Sequence, residues 1–248
     1  RWDSTGMHVN IEKLNTICDN NLIVKKIHAN ALLDNGGIYL DNADIAFNDS
    51  KLKGNLSIQF TDEWRSFSDF ENKVIMKADI KEALVKSKDV AVFAPMAKKY
   101  VPENVTMRGL VKGKLANLRT EQLYITAGNN TVIDVTGNIK GLPHVKQTLF
   151  DLKVSELRTT PADLKKILTF VKIPTQLDNA GNISFKGTYF GFLNDFVAKG
   201  ALNTTNLGNL VTDIRMSFPN GQAPKYSGNV VAKSLNLAEL TGNHKLLG

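Results

Sequence analysis

The residues with reactive side chains are few and spread thin. Four histidines, His8, His28, His144 and His244, stand far apart in a chain of 248 residues. None is spaced against a carboxylate or a second histidine as a zinc hydrolase requires. The single cysteine, Cys18, excludes an internal disulfide framework and a multi-thiolate metal site. It has no evident histidine partner to activate it as a nucleophile. Gly109 and Gly113 are spaced like phosphate-loop glycines, but no lysine–serine pair follows them. Asp134, Asp151, Asp195 and Asp213 are isolated from one another, unlike the ligands of a calcium loop. The Asn-X-Ser/Thr triplets at Asn48, Asn55, Asn104, Asn129, Asn182 and Asn203 read as turn asparagines beside the wet faces of strands. These patterns assemble no catalytic constellation, and the chain is expected to be no enzyme, with no cofactor and no metal.

What does recur is an apolar stripe. Ile58, Phe60, Met76, Ile133, Val135, Leu152, Val154, Phe185, Ile214, Met216 and Phe218 each alternate with polar neighbours, among them Ser57, Lys77, Asp134, Lys153, Lys186 and Arg215. A two-residue period sends the two sets to opposite faces of a sheet. The chemistry of such a stripe is adsorption of apolar matter. It is either a dry core or a surface that receives acyl chains.

The elements that carry the stripe are strands. Residues 56–60, 74–80, 133–139, 150–154, 183–186 and 214–218 alternate, and Asp34–Gly37, Gly128–Asn130, Asn179–Gly181 and Pro219–Gly221 supply turns. Helix is scarce. Thr160-Pro161-Ala162-Asp163 combines an N-cap, a first-turn proline and an acidic first turn, with Leu164, Ile167 and Leu168 on one face. Shorter helical turns are expected near Asp89 and Asn236. Asp89-Val90, Asp163-Leu164 and Asn236-Leu237 recur at near-constant spacing, and the pair Gly109/Gly113 is echoed by Gly187/Gly191. A hairpin is expected to lead into each helical turn, at 74–93, 148–168 and 226–242. The chain is therefore expected to be one continuous segment of three approximate repeats, 1–95, 96–170 and 171–248. The fold class is mainly β: an elongated, twisted antiparallel sheet curled into a groove, with short helical turns. A sheet with one apolar face must cover it, and a curled sheet whose edges are continued by a longer chain meets that need.

Composition narrows the rest. With 42 % hydrophobic and 22 % charged residues the chain is of globular type, and its longest apolar run, Val90–Ala97, is too short to cross a membrane as a helix. The net charge of +7 is spread, its densest groups being the pairs Lys25-Lys26, Lys98-Lys99 and Lys165-Lys166. A solvated basic face, anionic lipid headgroups and nucleic acid are weighed in that order. No RNA-binding aromatic motif or basic helix is present, so no nucleic-acid partner is expected.

The stretch Gly191–Gly200, followed by Thr204, Gly208, Asp213, Pro219, Tyr226-Ser227-Gly228 and Leu235–Gly242, resembles the repeated middle region of the TamB family of translocation and assembly module components. So does Thr148–Val154 with Arg158-Thr159-Thr160 and Asp163-Leu164. That family is similar to the AsmA-like and bridge-like lipid transfer proteins. The resemblance covers residues 85–242 and is thin before residue 50. It implies a β-groove in the periplasm, part of a protein anchored in the inner membrane by a segment elsewhere and reaching an outer-membrane Omp85-type protein through other parts. The implied role is phospholipid transfer between the two membranes, with acyl chains in the groove, and support of outer-membrane protein assembly. The alternative is a non-catalytic scaffold, a periplasmic spacer or β-solenoid adhesin with a dry interior.

Overall fold

The computed structural model describes residues 2–3, 6–18, 22–63, 65–168, 173, 175–219, 223, 225–236 and 238. Strand dominates, at 65 %, because alternating apolar and polar residues gain burial only on a pleated surface. Three short strands come first: β1 (Trp2–Asp3), β2 (Gly6–Ile11) and β3 (Thr16–Cys18). Twelve longer ones follow: β4 (Leu22–Asp34), β5 (Gly37–Phe47), β6 (Ser50–Phe60), β7 (Val74–Lys86), β8 (Asn104–Lys114), β9 (Asn117–Ala127), β10 (Thr131–Lys140), β11 (Leu149–Thr159), β12 (Ile183–Phe192), β13 (Asp195–Thr204), β14 (Gly208–Ser217) and β15 (Lys225–Leu235). All fifteen form one antiparallel sheet in chain order, with β2 and β3 side by side on β4. The sheet does not close into a barrel. Fourteen strand positions at about 4.8 Å spacing make it roughly 60 Å long.

Helices punctuate the sheet. Strands β4 to β7 end in α2 (Ser87–Phe93), and β8 to β11 end in α3 (Pro161–Ile167). Strands β12 to β15 form a third set of four. A further turn, α1 (Phe70–Lys73), lies with a 3-10 turn at Arg65–Asp69 between β6 and β7, where the sequence patterns signal nothing. The expected hairpins at 74–93 and 148–168 are each a single strand running into a helix, because β7 and β11 pair with strands on both sides. The expected turn near Asn236 lies mostly outside the described residues; within them, the Asn236 N–H donates to the Leu207 carbonyl at 3.0 Å.

Both long-strand helices sit on one rim of the sheet, where the β5–β6 and β9–β10 turns also lie. A buried aspartate latches each to its turn. Asp89 accepts from the Asp49 N–H at 3.0 Å and from Ser50 Oγ at 2.6 Å. Asp163 accepts from the N–H groups of Asn129 and Asn130, at 3.1 and 2.6 Å. The Thr160 hydroxyl caps α3 by accepting from the Asp163 N–H at 3.2 Å. Leu164 packs on Ala180, Ile183 and Leu207 beneath the rim.

The curl has a local cause. Each ladder from β4–β5 to β11–β12 contains a register shift near mid-strand. A bulge bends its strand and raises its twist, so bulges aligned across neighbouring strands form a crease. At Gly137 in β10, φ is +154° and a Cβ would stand 2.1 Å from the Asp151 carbonyl oxygen. Only glycine fits there. Beyond the crease, between β12 and β13, Gly187 and Gly200 face each other directly instead.

Candidate apolar groove

Cross-strand partners in an antiparallel ladder point to the same face. Following the register partner by partner therefore traces rows of side chains across the whole sheet. On the helical-rim side of the crease one row runs Ile27, Ile45, Leu52, Ala83, Met107, Ile125, Ile133, Leu157, Phe185, Leu202, Leu210, Ala232, one residue from each strand β4 to β15. Every member is apolar. On the other side of the crease a second row runs Leu40, Leu56, Ala78, Val111, Thr120, Gly137, Leu152, Tyr189, Ala198, Ile214, Gly228. A third, near the opposite rim, runs Met7, Leu33, Ile38, Ile58, Met76, Gly113, Leu118, Ile139, Phe150, Gly191, Phe196, Met216, Tyr226. No residue in the three rows is charged.

The register joins the stripe residues on this face. Ile133 and Phe185 lie in the first row, Leu152 and Ile214 in the second, and Ile58, Met76 and Met216 in the third. Val135 and Val154 pair with each other at the crease, where they form a small buried cluster with Leu123. Phe60 pairs with Val74 at the far rim. Phe218 lies one residue past β14, its ring stacked on Phe196 with centroids 6.3 Å apart. The alternate neighbours occupy the opposite face. Lys77, Lys153, Lys186 and Arg215 are exposed there, while Ser57 and Asp134 are half-buried.

Burial on this face is partial. Of the eleven stripe residues only Val135 and Val154 are buried, and the other nine are half-buried. Among the described residues the largest fully buried side chain is a valine, Val74. The accessible surface is 14988 Å², about 1.4 times the roughly 10,900 Å² of a compact monomer of this mass. The sheet folds toward its own apolar face without filling the space with a second layer.

Aromatic rings gather between the second row and the far rim along strands β11 to β14. Phe150, Tyr189, Phe196 and Phe218 follow one another at centroid separations of 6.4, 4.7 and 6.3 Å. Burial raises the Tyr189 phenol above its ordinary pKa, and its hydroxyl donates to the Phe192 carbonyl at 2.8 Å. Thr120 is the one threonine in the three rows. It is buried, and its Oγ1 is the one buried side-chain polar atom without a partner among the described residues.

Charge is absent from these rows, and on the outer face part of it is paired. Lys199 meets Asp213 at 2.8 Å, Lys112 meets Glu121 at 2.7 Å, and Arg215 grips Asp195 with two bonds of 2.9 and 2.8 Å. Exposed pairs of this kind contribute about 0–1 kcal/mol each, so they mark the wet face more than they stabilise it.

Sequence patterns miss much of the lining. Ten of the twelve residues in the first row, among them Leu52, Met107, Ile125, Leu157, Leu202 and Leu210, lie outside the stripe residues read from the sequence. Met107 and Ile125 sit in locally alternating stretches and were visible by that signal. Leu157 was not, because the shift between Val154 and Leu157 breaks the two-residue period. Among the described residues no cluster of histidine, cysteine and carboxylate groups is suited to hold a metal. No described helix is long and apolar enough to cross a membrane. No family model matches the chain, and neither does any curated protein or solved structure.

Proposed function

We propose that this chain is a lipid-conducting segment, a periplasmic bridge whose groove carries phospholipid acyl chains between inner and outer membranes and supports outer-membrane protein assembly. The observation that carries the reading is the unbroken, uncharged apolar row from Ile27 to Ala232, of which every member but the buried Ala83 keeps part of its surface exposed. Conduction needs many similar weak sites in series. Each methylene laid on such a surface gains about 0.8 kcal/mol, so a chain is held against water. Equivalent neighbours on every strand then let it pass from one to the next without a deep trap. Contact with an Omp85-type partner and anchoring in the inner membrane belong to other parts of the protein. Extraction and mass spectrometry of lipid from the purified native protein tests the reading. Co-purified phospholipid supports it. A lipid-free protein whose apolar face stays dry supports the scaffold alternative.

A further inference from the structure

The outer face holds a charge pattern that the folded register alone creates. On strands β7 to β10, the two outer rows nearest the far rim are Ile75, Lys114, Asn117, Lys140 and Lys77, Lys112, Arg119, Asn138. Five of these eight residues are cations and none is acidic. The same lysines and arginine lie up to 63 positions apart in the chain (Lys77 to Lys140), which is why no basic run marks them. Asp79 and Glu121 stand one row further in, and Asp151 faces Asn138 from the next strand, so carboxylates border the grid on two sides. Lys112 and Arg119 hold the Glu121 carboxyl below the usual range, with Lys77 adding to the effect.

We infer that this grid is a docking surface for an anionic bilayer. A pleated sheet stands its side chains on one plane, and residues two apart along a strand are about 6.8 Å apart, with neighbouring strands about 4.8 Å away. That spacing presents a dense layer of point charges, which complements a headgroup layer of diffuse and mobile negative charge. Ile75 is an exposed apolar residue directly beside Lys114, the combination by which a peripheral surface sets a side chain among headgroups. The grid contains no aromatic ring on which a nucleic-acid base would stack. The attraction acts within a Debye length and falls with salt. The inference does not rest on the groove carrying lipid, because grid and groove are opposite faces of the sheet.

The test is co-sedimentation of the whole chain with phosphatidylcholine vesicles with and without about one-third phosphatidylglycerol, at low and high salt. The variants are Lys77→Gln/Lys112→Gln/Arg119→Gln and a control with the same charge change elsewhere, Lys51→Gln/Lys186→Gln/Lys233→Gln. Circular dichroism confirms that each is folded, and Lys77→Gln/Lys114→Gln/Lys140→Gln replaces the first variant if it is not. Expected are binding to the anionic vesicles alone, reversal by salt, about a 100-fold loss in the grid variant, and a loss under tenfold in the control. Absence of binding by the parent chain, equal binding to uncharged vesicles, or equal losses in the two variants overturns the proposal. Selective capture of an acidic protein by the grid, with no vesicle binding, overturns it as well.

Discussion

Asp89 and Asp163 are the residues on which the helical rim depends. Each is 2 % exposed and accepts hydrogen bonds from the turn of a neighbouring hairpin, so each ties the end of one four-strand set to its own interior. Asp163→Ala strips acceptors from Asn129, Asn130 and the Thr131 hydroxyl, and the expected cost is about 2–3 kcal/mol. In a chain of this length that is a fall in melting temperature of roughly 5–10 °C. A shift under 1 °C contradicts the latch. Thr120 predicts the opposite sign. Its hydroxyl is buried without a partner, so Thr120→Val removes an unsatisfied group at nearly constant volume and should raise stability by about 1 kcal/mol; a loss of stability in the same melting assay refutes this. Asp49 supplies a pH signature. Lys88 first and Lys25 second hold its carboxyl at about 2, below the ordinary 3.8. Its contribution is therefore complete above pH 3.8 and fades as the pH falls through 2. An NMR titration should place its midpoint near 2, with Lys88→Met moving it up; the same ordinary midpoint in both proteins contradicts the assignment. The sequence revealed the recurrence of Asp89 and Asp163 but not their partners, since the hydrogen bonds span 32 to 40 positions.

At the scale of elements, the legible part was whatever keeps a strict period. The strands around Ile58, Met76, Ile133, Leu152, Phe185 and Ile214 followed from alternation, and α3 followed from Thr160 and Pro161. The rest was hidden by the bulges. A bulge changes which residue parity faces inward partway along a strand, so one strand presents Val154 and then Leu157 to the same face. The short helical turns between β6 and β7 were hidden for a different reason, having too few residues to show a helical period. The bulges are also what curl the sheet, which makes Gly137 a test of the crease. Gly137→Ala adds a Cβ against the Asp151 carbonyl in a backbone conformation alanine avoids, at an expected cost of about 2–4 kcal/mol. Asn138→Ala, one residue along on the outer face, should cost under 1 kcal/mol. Equal melting curves for the two variants would remove the crease from the explanation of the curl.

As a whole the molecule is a single sheet that folds toward its apolar face and leaves that face half-exposed. Its bulk apolar residues are arranged in rows, not in a filled core, and no charged residue stands in those rows. One strand carries the contrast that decides what the rows are for. On β12, Phe185 faces inward between Leu157 and Leu202, while Phe190 faces outward between Asp151 and Val197 and is 53 % exposed. The two residues have the same chemistry, and only the face differs. A photo-crosslinking phenylalanine analogue placed at each position in cells, followed by mass spectrometry of the adducts, reads the face directly. Phospholipid adducts at position 185 and none at position 190 are the predicted result; no lipid at 185, or equal lipid at both, contradicts a groove that carries acyl chains.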